Sequence, residues 1–209
     1  MSLAASLPVR VKYAKLLLTK STARIDIGQV NLGYFSSGAR LAADLINTKG
    51  WVSNQERLLG ADDVRPFFEA LGQERRVTKA DLTRLHALRG RLRAVFLAQD
   101  PVEVRRLIDG LLLDFPSQPR FERDGELGGL GFEPVGKDAA SLIGANAALG
   151  LAFFIAEHGT SRLGICRASD CDDAYIDESK NCTKICCSPR CTRLENVRAF
   201  RARQRGATS

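Results

Sequence analysis

All six cysteines of the 209-residue chain lie between Cys166 and Cys191, and the 165 residues before them contain none. Cysteines placed only for packing would be spread along the chain. Clustered thiols point instead to metal binding or redox chemistry. Four residues separate Cys166 from Cys171, and three separate Cys187 from Cys191. The loop between the pairs, 172–186, has 15 residues. Two close thiolate pairs joined by such a loop suit one tetrahedral four-cysteine zinc site, each pair supplying half of the ligands. A second pair spaced by four residues would use Cys186 in place of Cys187. Cys182 completes the six.

The chemistry continues after the last cysteine. Residues 190–205 hold Arg190, Arg193, Arg198, Arg201, Arg203 and Arg205 against one acid, Glu195. No Pro or Gly follows Cys191 until Gly206, so the stretch predicts a helix. On it Arg198, Arg201 and Arg205 share one side. Leu194 and Val197 are expected to pack back on the metal knuckle. A zinc site that anchors an arginine helix is a candidate nucleic-acid reader, with the arginines on phosphates and a side chain such as Asn196 on a base edge.

The run Cys166-x4-Cys171, Tyr175-Ile-Asp-Glu-Ser-Lys-Asn181, Cys187-Ser-Pro-Arg-Cys191, Asn196-Val197, Arg201-Ala-Arg203 resembles the CGNR zinc-finger family. These are bacterial proteins regarded as stress-induced transcriptional regulators, with an ABATE-type N-terminal domain. The family's namesake Cys-Gly-Asn-Arg reads Cys191-Thr-Arg-Leu here. The resemblance implies one Zn2+ per chain, held by Cys166, Cys171, Cys187 and Cys191, because Cys187-Ser-Pro-Arg-Cys191 matches the family's three-residue variant. Cys182 and Cys186 then stay outside the shell and are expected to react with alkylating reagents. It also implies duplex DNA as partner; the contacts expected from the residues of the last helix are Arg190, Arg193, Asn196, Arg198, Arg201, Arg203 and Arg205. A small-molecule or protein effector at the N-terminal domain and a homodimer are further expectations. Asp44, Asn47 and Thr48 are similar to the family's N-terminal signature, although Asn47 and Thr48 have a simpler reading as the close of a helix.

Composition agrees with such a chain. It is 44% hydrophobic and 26% charged, enough for one sizeable core and a small module. The net charge of +7 permits a polyanionic partner without requiring one. No apolar run is expected to approach the ~20 residues that span a bilayer, and no signal-peptide pattern opens the chain. The expected compartment is the cytoplasm, where clustered cysteines mean metal or redox chemistry more often than disulfides. No Ser/His/Asp or paired-carboxylate pattern supports an enzyme. The alternative to a DNA-binding regulator is a zinc-stabilised protein- or RNA-interaction module.

The elements that must carry the module are mainly helical. Val9, Val11 and Tyr13 alternate as a strand would, and Gly28, Gly33 and Gly38 punctuate the stretch after it. Helices are predicted over 38–48, after Asp62 or Asp63, from Thr78 with an Asp81 capping box, from Pro101, and over 139–158. The third has Leu82, Leu85, Leu88, Leu92, Val95 and Phe96 as its inner stripe, with Arg84, Arg89, Arg91 and Arg93 as its solvated face and His86 beside the stripe. The last, apolar all round, should be the central buried helix. Two strands, Phe121–Arg123 and Leu130–Glu133, are expected around a Gly-rich turn. The fold class is therefore α+β and mainly helical. An N-terminal helical domain with a small sheet is expected over 1–160, and the resemblance implies a regulatory or ligand-sensing role for it. It is followed by a treble-clef-like four-cysteine zinc module, 161–209, that ends in a helix.

Overall fold

The computed structural model of the protein describes residues 32–121 and 130–206, with side chains over 37–121 and 131–204. The strand expected around Val9–Tyr13, Gly28, and most of the Gly-rich turn lie outside the described residues.

Among the described residues five helices build the body: α1 (Leu32–Ile46), α2 (Ala61–Leu71), α3 (Lys79–Leu97), α4 (Pro101–Asp114) and α5 (Ala139–His158). Local chemistry starts three of them where expected, whereas α2 starts behind Gly60, with Asp63 inside its first turn accepting from Gly60 N at 2.9 Å, and not after an Asp62 or Asp63 cap. Thr78 and Asp81 form a reciprocal capping box on α3, Asp100 caps α4 ahead of Pro101, and Asp138 caps α5 by accepting from Ser141 N at 2.9 Å. Asp81 is itself buried and also accepts from Ala140 N at 3.2 Å, so the starts of α3 and α5 are tied together.

α5 is the centre. Its first ten residues, Ala139–Ala148, are all buried, and α1, α3 and α4 pack around it. The 20-residue helix is long and apolar enough to span a bilayer, contrary to the sequence expectation, but 72% of its apolar window is buried inside the protein. Its all-round apolar surface is met by other helices, as a core helix requires. α1 crosses it at a contact of bare backbone. A Cβ on Gly150 would stand 2.5 Å from Gly38 Cα, and one on Gly38 would stand 2.5 Å from Asn146 O. Gly38 therefore lies inside α1, six residues after its start, and does not open it as the sequence reading expected. The close crossing buries Leu45 and Ile46 beside Leu142, Ile143 and Leu151, each worth roughly 1.5–3 kcal/mol when removed from water.

Among the described residues three two-stranded antiparallel ribbons decorate the helices. β1 (Lys49–Gly50) pairs with β2 (Gln55–Glu56). β3 (Ser117–Phe121) pairs with β4 (Leu130–Pro134), in register Ser117↔Pro134 to Phe121↔Leu130. β3 thus begins four residues before the predicted strand and runs through Pro119. Proline is tolerated because both strands of a ribbon are edges and its missing N–H can face outward. Phe132 packs its ring on Phe153 of α5 at 5.9 Å. The third ribbon, β5 (Leu163–Ile165) with β6 (Ala174–Ile176), lies against α1.

The predicted solvated face of α3 needs correction. Arg84 and Arg91 are partly exposed and pair with Asp138 and Asp114, both at 2.6 Å. Arg89 and Arg93 are buried, at 4% and 8% exposure. The β1–β2 ribbon and the loop after Cys171 cover this side of the helix, and each supplies a carboxylate. Arg89 forks onto Glu56 at 2.7 and 2.5 Å, and Arg93 meets Asp172 Oδ2 at 2.5 Å. His86 is half-buried, and its Nε2 lies 2.8 Å from Leu58 O.

Candidate metal centre and the helix beside it

The cysteines converge because the backbone around them is pinned. β5 delivers Cys166, whose N–H donates to Asp173 O at 2.8 Å, while Arg167 N–H donates to Ile185 O at 3.1 Å. Buried Asp177 closes the returning loop by accepting from Ser179 N at 2.8 Å and Lys184 N at 2.9 Å. Arg162 Nη1 holds the same loop through Asp177 O and Ser179 O. The last helix, α6 (Pro189–Gly206), begins just before Cys191.

The sulfurs of Cys166, Cys171, Cys187 and Cys191 all lie within 4.8 Å of one another. Cys171 and Cys187 are 3.6 Å apart, Cys187 and Cys191 3.7 Å. A tetrahedral site with Zn–S bonds of ~2.3 Å places its sulfurs ~3.8 Å apart. The residues therefore fit one zinc ion, which when bound would act as a structural Lewis acid holding four thiolates. Of the two choices for the second pair, Cys187 is in this cluster and Cys186 is outside it.

The protein also prepares the sulfurs. Burial disfavours the Cys166 thiolate, but the backbone N–H groups of Cys187 and Ala168 donate to it and bring its pKa below the usual thiol range. Burial raises Cys171, and it pushes Cys187 up to about 12. A divalent cation reverses this cost, since a coordinated thiol gives up its proton.

Cys182 is exposed, whereas Cys186 is 3% exposed beside Cys166 and Cys191. The expectation that both spare thiols are accessible is corrected for Cys186, which fills the small core behind the knuckle.

α6 is anchored by its own side chains. Glu195 Oε1 accepts from Ser169 N at 3.2 Å, and Arg198 reaches Glu195 at 2.9 Å and Asp170 at 3.6 Å. Among the arginines assigned to DNA, Arg198 is thus already partly neutralised. Arg190, Arg193, Arg201 and Arg203 are exposed and, among the described residues, none has an ion pair; the Arg205 side chain lies outside the described residues. Asn196 is exposed too. Leu194 and Val197 do not pack into the knuckle as expected. They stay 37% and 46% exposed, because the knuckle core is already filled by Ala168 and three cysteines.

Sequence reasoning missed the ties that join this centre to the body. Asn47, at the end of α1, donates to Ala174 O at 2.9 Å and accepts from Ala174 N at 2.7 Å. It serves as a strand partner for β6, while Thr48 takes the helix-closing role by donating to Leu45 O at 2.7 Å. Arg93 stacks 4.3 Å from the Trp51 ring and donates to Asp172 O at 2.8 Å, one residue after Cys171. Ala174 and Ile176 are part of the main apolar core. The advance signal was Asn47 in the family signature. Between the β1–β2 turn and the knuckle lies a cleft of about 510 Å³, lined by Trp51, Arg57, Cys171, Cys187, Arg190 and Leu194 among others.

Two family models match the chain. The ABATE model, described as a putative stress-induced transcription regulator, covers residues 39–158, and the CGNR zinc-finger model covers 162–204. No curated protein matches the chain. With more than half of its residues inside the first model and the four-cysteine cluster inside the second, the chain belongs to the ABATE family and carries a CGNR zinc finger.

Proposed function

We propose that the protein is a regulator that binds duplex DNA through α6, with the zinc centre holding that helix at a fixed angle to the body. The observation that carries this reading is a helix that starts at a metal ligand and exposes Arg190, Arg193, Arg201 and Arg203 with no acidic partner among the described residues. Phosphates supply the missing anions. Regulation in this reading runs through the seam, where Asn47 and Arg93 grip the two sides of the loop after Cys171.

A salt titration of duplex binding, on reduced zinc-loaded protein, tests it. Replacing Arg190, Arg193 and Arg201 with Ala should flatten the slope of log K against log salt by up to about three units, at ~0.9 per phosphate contact. Zinc content should not change. Wild-type protein without salt-sensitive duplex affinity would refute the reading and favour a protein- or RNA-interaction module.

A further inference from the structure

The two sides of α6 have different jobs. Cys191, Glu195 and Arg198 fall at i, i+4 and i+7, and all three face the knuckle: the first in the sulfur cluster, the second on Ser169, the third on Asp170. Half a turn away run Arg193, Asn196, Val197 and Phe200, at i, i+3, i+4 and i+7, so they form one outward stripe. Val197 is 46% and Phe200 56% exposed, and Arg193 and Asn196 are exposed beside them.

Two adjacent apolar side chains in water, framed by cations, ask for a partner that is anionic outside and offers apolar groups within. A second copy of this helix is apolar but carries the same positive frame. The major groove of duplex DNA satisfies both demands. It is walled by phosphates, and its one apolar group is the 5-methyl of thymine, which apolar side chains including Phe contact. RNA meets the anionic demand but not the apolar one, because uracil lacks the methyl and the A-form major groove is too deep and narrow for side chains.

We infer that Val197 and Phe200 read thymine methyl groups in the major groove, so that the protein selects thymine-bearing steps. This rests on the reading of α6 as the duplex-binding element.

The test uses the full-length zinc-loaded chain and a duplex selected from a random pool. The same duplex is then made with deoxyuridine in place of thymidine, which removes only the methyl groups. Wild-type affinity should fall about fourfold for each contacted methyl, the worth of one buried carbon. Val197→Ala and Phe200→Ala should bind the thymine duplex more weakly yet lose the thymine-over-uracil difference, with zinc content intact. Equal wild-type affinity for the two duplexes overturns the inference and leaves duplex binding standing. So does a selected duplex without thymine. Failure to select any duplex removes both readings. A change in molecular mass on Phe200→Ala, with the thymine-over-uracil ratio preserved, would make the stripe a self-association surface and overturn the inference as well.

Discussion

Between residues 39 and 158 the chain buries leucine, isoleucine, valine and phenylalanine on helices that meet around α5; between 166 and 191 the knuckle's own core is Ala168 with Cys166, Cys186 and Cys191. The first region can be stabilised by apolar area alone. The second cannot, since a segment of that size has too little to bury and needs a staple. The difference teaches that the protein places its exposed, charged helix on the part whose order depends on a metal, and anchors that part to the region that needs none.

Metal removal should break the comparison most visibly. Purified reduced protein should carry one zinc per chain, and Cys171→Ser should carry none. Structural zinc in small modules is worth about 10–16 kcal/mol of apparent binding, so chelation should unfold 182–206. The body helices should persist. Hydrogen exchange should still find protection at Ala174 and Ile176, whose side chains belong to the body core. Collapse of α1 and α5 on chelation would show that the body is not self-sufficient.

The converse break is at the α1–α5 crossing. Gly150→Ala places a Cβ against Gly38 Cα and C, at 2.5 and 2.6 Å. Both are backbone atoms that cannot turn aside. Overpacking of this kind costs about 3 kcal/mol, or roughly 10 °C in Tm. Zinc stoichiometry should stay at one, and its loss would mean that the knuckle depends on the body more than its contacts imply.

A third change cuts the seam itself. Asn47→Ala leaves the Ala174 N–H and C=O without their partners, a loss of about 2 kcal/mol. Unlike the first two changes, it should lower both thermal stability and zinc affinity in competition titrations. An effect on only one of them would place Asn47 wholly within that region.

The smallest effect is one of pH and belongs to the body. The hydrogen bonds from Arg89 hold the Glu56 carboxyl at about 2, against an ordinary 4.5. A carboxyl depressed in the folded state stabilises above its unfolded pKa and loses that stabilisation as pH falls from about 4.5 towards 2. Glu56→Gln should remove this part of the acid dependence, on the order of 1 kcal/mol after solvent screening. Parallel stability curves for wild type and variant across that window would contradict the pairing.

Helix positions were legible in the sequence because caps and apolar periodicity act within a few residues. Thr78 with Asp81, Pro101 in a first turn, and the apolar run of α5 are local signals, and each marks its element. The clustered cysteine pairs, too, suggested a metal centre, and family likeness sharpened the suggestion. Between Cys186 and Cys187 spacing left both open and family likeness favoured the latter; the fold places only Cys187 in the sulfur cluster, because the pinned loop turns Cys186 into the knuckle core.

Long-range pairing was beyond the sequence. Nothing local to α3 shows that Arg89 and Arg93 are buried, since their partners, Glu56 and Asp172, stand 33 and 79 residues away. Nothing local to α1 shows that Asn47 completes a strand 127 residues later. The sequence by itself determined the helices, the thiolate cluster and the charge of the last helix, because these depend on residue type and short spacing. The tertiary structure alone decided which arginines are buried, which thiol is spare, and which face of α6 is turned outward. A side chain's environment is set by whatever the fold brings against it, and that is not written near it in the chain.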